Sequence, residues 1–206
     1  MLLWRHGRTQ WNDENRFQGH LDIPLDAIGR EQVQAAAALL ATLRPDVLVS
    51  SDLRRAVDTA APLAQLTGLA VDVDPGLRET DGGTWQGLRA DELGTADGDA
   101  YRAWRAGADV AAGGAETRSQ LADRATQSIT EALLRVPVGG LLVVATHGGT
   151  ARAAMGRLLG LSVDQWRVFG GLANACWSVL QETGHGWRLL EHNAGSLPAR
   201  VVGDDR

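Results

Sequence analysis

Short apolar runs that break off into polar, chemically active residues punctuate this chain. The first is Leu2-Leu3-Trp4, which leads straight into Arg5-His6-Gly7-Arg8-Thr9. The second is Val47-Leu48-Val49, followed by Ser50, Ser51 and the pair Arg54-Arg55. The clearest is Leu141-Leu142-Val143-Val144-Ala145, which ends at Thr146-His147-Gly148-Gly149. Such runs are too short for helices, and without polar alternation they read as strands buried on both faces.

Between them, apolar residues recur at helical spacing. Ile28, Val33, Ala36, Ala37, Leu40 and Leu43 mark one helix, begun near Asp26 and ended by Pro45. Leu53, Ala56, Ala60 and Leu63 mark another over about 52–67, with Ser50 and Ser51 as N-cap candidates and Gly68 as its C-cap. Thr117 and Gln120 have capping-box spacing. They open a helix to about Arg135 that buries Leu121, Ala125, Ile129, Ala132 and Leu133. A further helix follows His147 and runs to about Leu159. Strands alternating with helices predict an α/β fold with a mostly parallel central sheet flanked by helices.

The remaining segments are less regular. Val71 and Val73 alternate with aspartates, as in a strand near an edge. Residues 88–106 read as one or two short helices anchored by Tyr101 and Trp104. The Gly/Ala-rich stretch 107–115 is expected to be mobile. Residues 173–181 and 187–192 read as a closing strand pair turned at 183–186. One domain is expected over 1–199, with a disordered tail at 200–206.

Composition narrows the function. The 206 residues carry a net charge of -5, which argues against general nucleic-acid or membrane-surface binding. An anionic ligand would need a local cluster of cations, and all 20 basic residues are Arg. The lone Cys176 excludes an intramolecular disulfide and a cysteine zinc site. No apolar stretch is long enough to span a membrane. A strand expected from residue 2 leaves no leader to expect, so the cytoplasm is the expected compartment.

In parallel sheets, ligands bind where strands end and helix N-termini present their N–H groups. His6 follows the first strand, Arg54-Arg55 follow the second and His147 follows the 141–145 strand. Together they suit a dianionic phosphoryl group. One histidine can attack phosphorus, while arginines and the second histidine neutralise the oxygens. A carboxylic acid can then protonate the leaving oxygen. Glu79, in a loop after a strand, is the best candidate acid. Arg54 and Arg55 sit about 100° apart on a helix, so only one would face the phosphate, and periodicity does not choose between them.

These residues carry a resemblance to the histidine phosphatase superfamily, in its phosphoglycerate-mutase-like branch. Four segments match in order: Arg5-His6-Gly7-Arg8-Thr9 with Asn12; Ser50-Ser51-Asp52-Leu53-Arg54-Arg55-Ala56; Leu77-Arg78-Glu79 with Gly83, Trp85 and Gly87; and Thr146-His147-Gly148-Gly149. Arg16-Phe17-Gln18-Gly19 matches as well. The resemblance implies a three-layer sandwich and a metal-independent phosphomonoesterase needing no cofactor. The implied substrate is a small phosphate ester, a phosphoglycerate or sugar phosphate. It further implies that His6 is the phosphorylated nucleophile, that Arg5, Arg55 and His147 hold the phosphoryl oxygens, and that Glu79 is acid and then base. Asn12 and Gln18 would contact phosphate or substrate, with Gly19 and Gly148 beside them. The motif favours Arg55 over Arg54. The family's usual Gly-Gly-Glu is Gly114-Ala115-Glu116 here.

The alternatives are a cofactor-dependent phosphoglycerate mutase, a broad-specificity phosphatase, metal-dependent hydrolysis and a catalytically dead binding module. Only 67 residues separate Glu79 from His147, which the family resemblance reads as short for a mutase. No His-x-x-x-His or comparable ligand spacing appears. His20, His185 and His192 lie outside the matched motifs. Trp85 and Trp104 are kept as pocket walls, and the other tryptophans as packing or interface anchors. The apolar strand at 173–180 is taken as a possible sheet edge for a homodimer.

Overall fold

Side-chain alternation along the first strand sets the layering. In a computed structural model, which describes residues 1–195, β1 (Leu2–Arg5) sends Leu2 and Trp4 to one face and Leu3 to the other. Leu2 and Trp4 join Leu48, Val143 and Ala145 beneath α2 (Ala27–Thr42) and α3 (Arg54–Thr67). Leu3 joins Val49, Leu142 and Val144 beneath α6 (Arg118–Leu133) and α7 (Gly148–Leu158). The three-layer α/β sandwich follows from strands that bury both faces. Each buried Leu or Val on these faces contributes about 1.5–3 kcal/mol.

The sheet has six strands in the order β3-β2-β4-β1-β5-β6. β2 (Val47–Ser50), β3 (Val71–Val73) and β4 (Leu142–Thr146) run parallel to β1, with β4 central and buried throughout. β5 (Trp177–Thr183) and β6 (Gly186–Ala194) are antiparallel additions beyond β1. β1 leads toward α2 on one face and its neighbour β4 leads into α7 on the other. Chains diverging from adjacent strand ends open a crevice there. Arg5 lies opposite Thr146 in the register, so His6 and His147 leave the sheet side by side.

Short elements complete the chain: α1 (Gln10–Asp13), α4 (Ala90–Ala96) and α5 (Gly98–Arg105). The capping box at Thr117 and Gln120 opens α6, and Gly68 closes α3 at φ 76°, a left-handed conformation that glycine adopts without strain. β3 is an edge strand, as its alternating pattern implies.

Several expectations are corrected. α3 begins at Arg54 with Leu53 in the N-cap position and no side-chain cap. The Ser51 hydroxyl instead accepts from Leu53 N–H at 3.3 Å and meets His147. The apolar strand near 173–180 is not an edge. β5 pairs with β1 on one side and β6 on the other, so a homodimer edge cannot form there. Residues 107–115 are tied down. Ala112 N–H donates to Glu116 O, Thr84 N–H donates to Gly113 O, and the Asp109 carboxylate accepts from Ser119. The tail expected at 200–206, and residues 196–199 before it, lie outside the described residues.

Candidate active site

His6 is 2% exposed and held from several sides. Its backbone N–H donates to Thr146 O, and its carbonyl accepts from Ala175 N–H and the Asn174 amide. Ala175 takes a left-handed φ of 58° to make that turn. Gly7 N–H donates to Thr59 Oγ1, locking the turn onto α3. The His6 ring meets the Gly7 carbonyl through Nδ1 at 2.7 Å. A carbonyl accepts only, so Nδ1 carries the proton and Nε2 is the unprotonated nitrogen. Burial, then the charges of Arg55 and Arg5, push the His6 pKa well below its ordinary 6.5. The neutral, nucleophilic imidazole is therefore the stable form at neutral pH.

Arg55 is 0% exposed, whereas the Arg54 side chain is 65% exposed and pairs with Asp58. Arg55 points inward, and its NH1 and NH2 donate to the carbonyls of Leu21 and Gly19 at 2.8 Å. Its Nε donates to His147 Nδ1 at 3.2 Å. His147 Nε2 must then carry the proton, which goes to Ser51 Oγ at 2.9 Å. The resemblance puts His147 on the phosphoryl oxygens. Here the protein engages both ring nitrogens, and the ring lies 5.2 Å from that of His6. Burial and the Arg55 charge hold its pKa well below the usual range, and burial brings Arg55 itself down to about 10. Arg5 gives NH1 to Leu172 O at 2.5 Å, and its buried Nε has no partner among the described residues. Neither Arg5 nor Arg55 has a carboxylate within 4.0 Å among the described residues.

Glu79 is seated on the N-terminus of α7. Its Oε2 accepts from Gly149 N–H at 3.0 Å, and its Oε1 accepts from the N–H groups of Thr150 and Thr80 and from Thr150 Oγ1. Oε2 carries the single donor and has the room for a proton in transit. The loop bearing Glu79 is fixed from both sides. Arg78 forms a two-pronged pair with Asp52. Arg124 on α6 donates to the carbonyls of Gly76, Arg78 and Glu79 while paired with Glu116 at 2.6 Å. Glu116, from the segment that departs from the family pattern, thus anchors the acid's loop.

Asn12 and Gln18 turn their acceptors toward the protein. Asn12 Oδ1 accepts from Thr9 and from Asn174, and Gln18 Oε1 accepts from Thr9 Oγ1. Their amide NH₂ groups are left for a ligand. Gly19 supplies its carbonyl to Arg55 from a φ of 52°. At Gly148 a Cβ would stand 3.3 Å from Arg5 Nε, so the absence of a side chain lets that guanidinium approach.

Of the expected site residues, all except His147 line one cavity of about 270 Å³, and His147 lies behind Arg55. Trp104 lines it as expected. Trp85 does not; it is buried beside Leu93 and donates to Asp97. Sequence reasoning missed Arg118, Leu121, Arg152 and Trp166 on the outer wall, along with Ser51, Thr59, Arg124 and Asn174 behind the site. On a helix, Arg118, Arg124 and Arg152 look like any solvated charge. Of these, Ser51 stands inside a matched segment and carried a signal that could have found it.

A neutral imidazole among unpaired guanidiniums, with a loop carboxyl group seated at the N-terminus of α7, is chemically suited to phosphoryl transfer. The chain belongs to the histidine phosphatase superfamily (branch 1), whose family model matches residues 1–195. It is 42% identical to a glucosyl-3-phosphoglycerate phosphatase of Mycolicibacterium vanbaalenii, over 98% of this chain and 97% of the relative. It is 34% identical to a metal-independent phosphoserine phosphatase of Arabidopsis thaliana, over 91% of this chain and 78% of that protein. A solved structure of mycobacterial glucosyl-3-phosphoglycerate phosphatase with VO3 matches with a TM-score of 0.89 at 40% identity, covering 94% of this chain and 98% of that one.

Proposed function

We propose that this chain is a phosphomonoesterase that works through a phosphohistidine on His6, with glucosyl-3-phosphoglycerate as its substrate and no metal ion. The observation that carries the reading is the hydrogen bond from His6 Nδ1 to Gly7 O, which leaves Nε2 free in a cavity beside Arg5 and Arg55, neither of them paired with a carboxylate among the described residues. The substrate rests on the relatives that bear that name, and metal independence on guanidinium groups standing where a cation would otherwise be needed. Among the described residues, no group of three His, Cys, Asp or Glu side chains is placed to hold a metal.

Nε2 attacks phosphorus. The P–N bond forms as the P–O bond to the alcohol breaks, and Glu79 passes a proton to the leaving oxygen. Arg5, Arg55 and the amides of Asn12 and Gln18 hold the equatorial oxygens, while His147 orients Arg55. Water then attacks phosphorus, Glu79 takes its proton, and the P–N bond breaks to release phosphate and restore neutral His6.

His6→Ala tests this. Loss of turnover together with loss of acid-labile phosphate labelling is expected, and near-normal turnover would sink the mechanism. Following phosphate release against isomer formation from 3-phosphoglycerate separates hydrolysis from the mutase reading. Full activity in a chelator is expected.

A further inference from the structure

The outer wall of the cavity holds donors that the phosphoryl chemistry does not use. Arg118, at the start of α6, gives NH2 to Trp104 O at 2.7 Å and lies 4.4 Å from the Trp104 ring centre. Arg152, on α7, gives NH2 to Gly170 O at 3.2 Å. The Nε of each is buried without a partner among the described residues, as is Trp104 Nε1. Trp104 is not open for stacking a ligand ring. It stacks on Tyr101 and carries the Arg118 guanidinium, so its polar edge is what it can offer.

Neither Arg118 nor Arg152 has a carboxylate within 4.0 Å among the described residues. The two repel each other, and Arg152 also repels Arg5. Like charges gathered in one cavity are costly unless an anion joins them. Four unpaired arginines line it against one carboxylate, Glu79, while Arg16 is neutralised by Glu14. With Glu79 carrying the proton it gives to the leaving oxygen, a phosphoryl dianion leaves two positive charges over, enough to hold a further carboxylate. Arg152 stands one helical turn beyond Gly148, on the same face of α7.

We infer that Arg118, Arg152 and the Trp104 indole N–H form a carboxylate subsite, which selects phosphate monoesters of hydroxy acids over neutral sugar or polyol phosphates. The subsite rests on the phosphomonoesterase reading and names its substrate class. Two guanidiniums and an indole N–H match the two oxygens of a planar carboxylate. The chain around them is apolar, from Leu121, Ala153 and Trp166, which strengthens the charge-assisted bonds.

The test compares 3-phosphoglycerate with glycerol 3-phosphate, which differ in a carboxylate against a hydroxymethyl group. The unaltered chain should prefer the carboxylate ester in kcat/KM by about tenfold or more. Arg152→Gln and Arg118→Gln should each lower that preference by about tenfold, with the loss in KM, and Arg152→Lys should restore part of it. No preference in the unaltered chain, or an undiminished preference in a folded Arg152→Gln, overturns the subsite. Turnover of p-nitrophenyl phosphate separates the two readings. If all three esters and glucosyl-3-phosphoglycerate resist hydrolysis, the phosphatase reading fails. Calorimetric binding of the same pair to His6→Ala protein then decides: a carboxylate preference supports the subsite, and equal binding overturns it.

Discussion

Arg55 Nε donates to His147 Nδ1 at 3.2 Å, and this bond joins the second strand's functional residue to the fourth strand's. It sets the His147 tautomer, and with the Gly19 and Leu21 carbonyls it holds the guanidinium plane still. Lysine has no fork to satisfy three separate acceptors. Arg55→Lys is therefore expected to lower kcat/KM by about 10²–10³, the scale of losing one oriented transition-state donor. Steady-state kinetics on a folded variant check this, and a loss below about threefold would show that the fork is not needed.

Replacing Glu79 by glutamine removes the proton while keeping the shape. With a poor leaving group, kcat should fall by about 10²–10⁴. p-Nitrophenolate leaves without protonation, so Glu79→Gln should still show a rapid burst of nitrophenol. The slow phase after it reports dephosphorylation, where Glu79 must take a proton from water. A burst lost to the same degree as glucosyl-3-phosphoglycerate turnover would contradict the acid role.

Acid stability follows from the buried imidazoles. The pKa values of His6 and His147 are held well below 6.5, chiefly by burial. In the unfolded chain both return to about 6.5. Below that pH the unfolded state binds protons that the folded state refuses, so stability falls with acidification. The slope is up to about 1.4 kcal/mol per pH unit for each histidine, and it ends at the folded pKa. Above 6.5 neither contributes a slope. Urea unfolding at pH 7.5 and 5.5 measures this, and His147→Asn should flatten the dependence. An unchanged slope in both His6→Asn and His147→Asn would refute it.

Much of the site was legible because its chemistry sits at predictable places. Strands were recognisable from apolar runs, and the residues following them lie at the carboxyl edge of a parallel sheet by the geometry of the fold. His6, the Arg54-Arg55 pair and His147 are found this way, Glu79 by its place in a loop, and Arg55 over Arg54 by the family motif. The dimer edge assigned to 173–180 failed because strand order is non-local. An apolar strand reads the same whether its neighbours are solvent or two other strands. Trp85 failed for a similar reason, since a tryptophan facing the core and one facing a pocket have the same local sequence.

The Arg5-His6-Gly7 turn and its companion motifs determine, by themselves, the fold class, the family and a phosphoryl-centred chemistry, because short-range patterns specify strands and their ends. Tertiary structure alone decided which nitrogen of His6 is free, since that depends on the reach of the Gly7 carbonyl. It also showed Arg55 inside and Arg54 outside, because the sheet lies on one side of α3. The grouping of Arg118 with Arg152 needed α6 packed against α7. Charge becomes a binding site only when packing removes the water and the counter-ions around it.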